Sequence, residues 1–123
     1  MNFKSSALHM AVAFIAMGNW AVLANRTHPL SEALMAGVIQ GMMSALITLS
    51  LKRMIEALSI RLTGIAVLII PPLLAVTGSA GFLSLIHSLA GTPEVLFTIA
   101  VPVSVTAVYS AAYSYVLWRV RHD

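Results

Sequence analysis

The chain has 123 residues, 59% hydrophobic and 9% charged, with a formal net charge of +3 and a mean hydropathy of +0.93. Soluble domains carry about a quarter charged residues, so an ordinary soluble enzyme is excluded, as is a disordered chain, which needs low hydrophobicity and high net charge. The lack of cysteine removes disulfides, thiolate metal sites and thiol nucleophiles, and no Lys/Arg run interleaved with aromatics supports nucleic-acid binding.

What remains is an all-α integral membrane protein, read as one transmembrane domain over residues 1–123. A bilayer core about 30 Å thick is crossed by about 20 apolar helical residues. Lipid offers the backbone no hydrogen-bond partner, so such runs are predicted as helices. The first span covers residues 7–24, opened by Lys4 and closed by Asn25-Arg26-Thr27-His28-Pro29. It exceeds the roughly 7–15 apolar residues of a signal peptide and is expected to persist as a helix. Trp20 reads as a membrane-interface residue, and Asn19 is expected to bond across helices or line an outer vestibule.

The second span covers residues 32–51 and stops at Lys52-Arg53. Gln40 lies near its middle, with Ser44 and Thr48 following at four-residue steps. An amide against lipid is costly, so Gln40 should face another helix or a wet cavity. Beside it run Ala33, Gly37, Gly41 and Ala45, a small-residue pattern that lets helix backbones approach. Residues 52–62 mix Arg53, Glu56 and Arg61 with Met54, Ile55, Leu58 and Ile60, which suits an amphipathic continuation at the inner leaflet.

The third span, residues 63–89, is anomalous. Pro71-Pro72 predicts a kink, and Gly78-Ser79-Ala80-Gly81 is a weak helical stretch. Either the helix tilts and bends, or it breaks near Gly78 and residues 82–89 lie at the interface. The fourth span covers residues 94–118. Thr92 suits its N-cap, Pro93 its first position and Glu94 its positive start. Tyr109 lies deep and needs a partner, for which Gln40 is a candidate. Tyr113, Tyr115 and Trp118 approach the inner boundary.

Four spans place both termini and the middle loop on one side, together with Lys4, Lys52, Arg53, Arg61, Arg119 and Arg121. Arg26 stands alone on the other. The positive-inside rule makes the termini cytoplasmic, in a multi-pass protein of a cell inner membrane. The expected architecture is therefore a four-helix transmembrane bundle, with its third helix kinked or broken near Pro71-Pro72 and Gly78–Gly81.

Asn25, Arg26, His28, Glu32, His87 and Glu94 then gather at the outer face. Arg26 offers a planar fork of donors for phosphate or carboxylate, and helix starts add positive dipole ends. The plain alternative is that surface loops are polar and that Glu32 and Glu94 merely complement helix starts. Two histidines from separate segments, without an HxxxH or HExxH pattern, assign no metal or cofactor. His87 with Glu94 is the one acid–base pair worth naming, and no catalytic residues are assigned. The expected function is non-enzymatic. The protein binds or helps translocate an amphiphilic or anionic substrate, such as a lipid head group, through Asn25, Arg26, His28, His87 and Glu94, with Gln40 inside. So small a bundle has little interior, so a homo-oligomer or larger membrane complex is expected. The alternative is an accessory subunit that stabilises such a complex.

Overall fold

A computed structural model describes residues 3–122. Four helices follow one another, α1 (Phe3–Ala24), α2 (Leu30–Arg61), α3 (Ala66–Ala90) and α4 (Val95–His122). All four are long and apolar enough to cross a membrane. They alternate in direction, so the α1–α2 and α3–α4 loops share one end of the bundle. The α2–α3 loop shares the other with the described chain ends. These are termed here the paired-loop end and the termini end. Trp20 Nε1 donates to the Phe97 carbonyl at the first (3.0 Å), and Arg121 Nη1 donates to the Leu62 carbonyl at the second (3.3 Å).

Local chemistry sets the helix boundaries. Pro29 (φ −53°, ψ 143°) holds the chain extended before α2, and its carbonyl accepts from the Glu32 and Ala33 amides at 3.0 and 3.1 Å. Gly91 follows α3 with φ 76°, a left-handed conformation that glycine adopts without steric cost. There the Thr92 amide donates to the His87 carbonyl and the Gly91 amide to Ser88 (2.9 and 3.2 Å). This double closure satisfies the last carbonyls of a helix.

One span is longer than its apolar core suggested, along the amphipathic continuation, and one of the two readings of α3 is decided. α2 does not stop at Lys52-Arg53 but runs on to Arg61, 32 residues in all, or about 48 Å at 1.5 Å per residue. α3 begins at Ala66 and is one continuous helix to Ala90, so the break near Gly78 does not occur and residues 82–89 belong to the spanning helix. Pro71 and Pro72 fall in its second turn. Each removes one ladder donor, which leaves the Val67 and Leu68 carbonyls without their usual partners.

The helices pack as two hairpins. α1 lies along α2, where small residues bring the backbones together. A Cβ on Gly18 would sit 3.0 Å from the Gly37 carbonyl, and one on Gly41 would sit 3.0 Å from the Phe14 carbonyl. α3 meets α4 through columns spaced four apart. Pro71, Ala75, Ser79, Leu83 and His87 are buried on one, and Pro102, Thr106, Ser110 and Ser114 on the other. Such rows are the ridges through which helices interlock. The hairpins join through α2, which touches both α3 and α4, whereas α1 reaches α4 but not α3. Leu51, Ile55 and Ala75 form the apolar core toward the termini end, flanked by Met54, Tyr109, Tyr113 and Leu117. The outward faces are apolar as well. Ile65, Leu89, Leu96 and Val108 are each more than 70% exposed, a surface suited to lipid and costly in water.

Candidate functional site

The polar residues of the paired-loop end divide into two groups. The first is built around Asn25, which follows α1 and is fully buried. Its Nδ2 donates to the Ala21 carbonyl at 2.8 Å and to Thr98 Oγ1 at 2.7 Å. Its Oδ1 accepts from the Glu94 amide at 3.0 Å. The Thr98 hydroxyl in turn donates a hydrogen bond to the Glu94 carbonyl at 2.6 Å. Asn25 therefore caps the start of α4 from another helix, a role the sequence reading gave to Thr92. Above it, His28 Nε2 and Glu94 Oε1 lie 3.2 Å apart as a half-exposed pair. Arg26 does not join them. It is exposed, and its Nη1 turns back onto the Leu23 carbonyl at 3.0 Å, where a cation complements the end of α1.

The second group runs into the bundle interior. His87 and Gln40 are both fully buried. Gln40 Nε2 donates to Ser44 Oγ at 2.7 Å, which leaves its Oε1 facing His87 Nε2 at 2.8 Å. An amide oxygen only accepts, so His87 carries hydrogen on Nε2. In the neutral ring Nδ1 is then an acceptor, and it meets Thr92 Oγ1 at 2.8 Å. The donors all point inward, from Thr92 to His87, from His87 to Gln40 and from Gln40 to Ser44. His87 thus belongs with Gln40 rather than with Glu94, so the named acid–base pair is not assembled. Gln40 faces another helix as expected, but its partners are His87 and Ser44. Tyr109 instead lies beside Tyr113, ring centroids 5.8 Å apart, and the Tyr113 hydroxyl donates to Glu56 Oε1 at 3.0 Å. Asn19 bonds within its own helix, to the Ile15 carbonyl at 2.6 Å.

This interior chain has a cavity at each end. At the paired-loop end, Thr92 lines a shallow pocket of about 220 Å³ with Ser31, Glu32 and Met35. At the other, Ser44 opens onto a cavity of about 420 Å³, within the roughly 300–1,000 Å³ range of small-molecule sites. All four helices contribute to that cavity, with most of its lining from α1, α2 and α4. Val12, Ala13 and Leu83 give it apolar walls, Ser44, Thr48, Thr106 and Tyr109 form a polar strip, and His9 stands on its α1 rim. Sequence reasoning saw the strip of Gln40, Ser44 and Thr48 and offered a wet cavity as one alternative, but not which helices wall it, nor Thr92 as the partner of His87. The only available signal was the spacing of small hydroxyl residues on α2 and α4. Among the described residues, no three His, Asp or Glu side chains gather to hold a metal ion. No family model matches the chain, and neither a curated protein nor a solved structure matches it.

Proposed function

We propose that this multi-pass membrane protein binds an amphiphile and helps it cross the bilayer. The observation that carries the reading is the cavity between α1 and α4. It is mostly apolar and bordered by hydroxyls, of which that of Ser44 accepts from the buried Gln40. An apolar pocket with a few convergent polar groups is the usual form of a small-molecule site. On this reading the head group uses the hydroxyl strip and the tail lies along Val12 and Leu83. Six of the seven Lys and Arg side chains belong to the termini end, which supports a cytoplasmic assignment for that end and an inner-membrane location.

Native mass spectrometry from mild detergent tests the binding. The wild-type chain should retain one amphiphile per copy, and Ala13→Phe, which fills the cavity wall, should retain at least fivefold less at equal folded yield. Equal retention by both proteins would remove the reading. A second reading, a homo-oligomer or an accessory subunit of a larger complex, draws on α3. Exposed Gly78 and Gly81 have nothing packed over them, and such small residues permit close helix approach. The same spectra report copy number and any companion chain.

A further inference from the structure

Resting on the amphiphile reading, we infer that His87 is a proton-binding site and that its proton balances the charge of an anionic head group lodged at the Ser44 end of the cavity.

The interior geometry accommodates both charge states of the imidazole. In the neutral ring, Thr92 donates to Nδ1 and Nε2 donates to Gln40. After protonation Nδ1 donates instead, and Thr92, a hydroxyl able to do either, rotates to accept. No buried donor or acceptor is orphaned in either state, so the site takes up a proton by turning a single hydroxyl. Thr92 lines the pocket at the paired-loop end, so solvent there is the source of the proton. On the inner side the chain passes through the Gln40 amide, which does not readily release a proton onward. The arrangement stores a proton and does not leak one across the membrane.

The charge acts on the cavity. A cationic donor makes shorter and stronger hydrogen bonds, and polarisation along a chain strengthens each successive bond. Protonated His87 therefore makes the Gln40 amide a better donor to Ser44, whose hydroxyl faces the cavity. An ionised head group at that depth is costly unless a counter-charge accompanies it. His87 reaches the cavity wall through the hydrogen-bonded Gln40 and Ser44.

The other charged or titratable groups around it are accounted for. Glu32 of α2 borders the Thr92 pocket. Glu94, at the α4 start, is engaged with His28. His9 and Tyr109 stand on the cavity itself. None of them is hydrogen-bonded to the imidazole.

Binding of two lysolipids to the protein in nanodiscs tests the inference. Lysophosphatidylglycerol is anionic and does not titrate between about pH 5.5 and 8. Lysophosphatidylcholine has the same tail and no net charge. The affinity for the anionic lipid should rise about fivefold or more as pH falls from 8 to 5.5, at the lower bound of typical coupling between sites. The affinity for the neutral lipid should stay level. His87→Gln should still bind but lose the pH dependence, whereas His9→Gln and His28→Gln should keep it.

Anionic binding that ignores pH, or whose pH dependence disappears with His9 or His28, overturns the proton linkage and leaves the amphiphile reading standing. Failure of both lipids to bind at any pH overturns the amphiphile reading and this inference with it. Nitrogen-15 spectra of the imidazoles in wild-type protein saturated with lysophosphatidylglycerol provide a check that does not depend on how well a variant folds. His87 should begin as the Nε2–H tautomer and gain its second proton as pH falls across this range, because the bound anion offsets the cost of charging a buried ring. A ring that stays neutral throughout rules the proton site out.

Discussion

Asn25 joins three segments through one amide, tying the end of α1 to Thr98 and to the first amide of α4. Replacing it with alanine strips a buried cap and leaves Thr98 and the Glu94 amide short of a partner. Leaving a buried group unsatisfied costs about 1–3 kcal/mol, so Asn25→Ala should lose stability of that order in a denaturant titration from detergent. Ser114 is the opposite case. Its Oγ is the one buried side-chain oxygen among the described residues with no partner, so Ser114→Ala should be neutral or stabilising by up to about 1 kcal/mol. At this scale the sequence marks the buried amides but not whom they meet. Gln40 and Asn25 are conspicuous because amides are rare in apolar runs. Thr98, which Asn25 meets, and Thr92, which His87 meets, look like any helix or loop threonine until the chain is folded. Arg26, the most chemically suggestive residue at the paired-loop end, satisfies its own helix instead, because a carbonyl three residues back is always within reach.

Helix existence was legible from length and apolarity, since the bilayer leaves few alternatives. Helix ends and continuity were less so. Of the two readings of α3, the break rests on the cost of Gly78 and Gly81 in water, about 1 kcal/mol each. In lipid, freeing a turn of backbone costs several kcal/mol per unsatisfied group, so the helix persists. The two glycine classes now separate by contact. A Cβ on Gly37 would press on the Val22 side chain and lie 3.0 Å from the Gly18 carbonyl, whereas one on Gly78 or Gly81 would meet nothing. Gly37→Ala should therefore cost about 1–3 kcal/mol through overpacking, and Gly78→Ala should gain about 0.5–1 kcal/mol. Detergent unfolding curves of both variants check the contrast, and a destabilised Gly78→Ala would show that another helix covers that face.

For the whole molecule, four alternating helices put Lys4, Lys52, Arg53, Arg61, Arg119 and Arg121 at one end and leave Arg26 at the other. Because the chain has no cysteine, single introduced thiols report sidedness without background. Thr27→Cys should react with a membrane-impermeant maleimide on intact cells, and Thr63→Cys only after lysis. The reverse pattern would invert the assigned orientation. The hairpin arrangement carries a mechanical consequence. With α3 out of reach, the outer wall of the cavity is α1, seated lengthwise on α2 and fastened to α4 where Trp20 and Asn25 bond across. Backbone contact at Gly18 and Gly41 fixes the distance of that wall from α2. The protein should consequently accept slender hydrocarbon tails more readily than branched ones, a preference that competition between lysolipids would report.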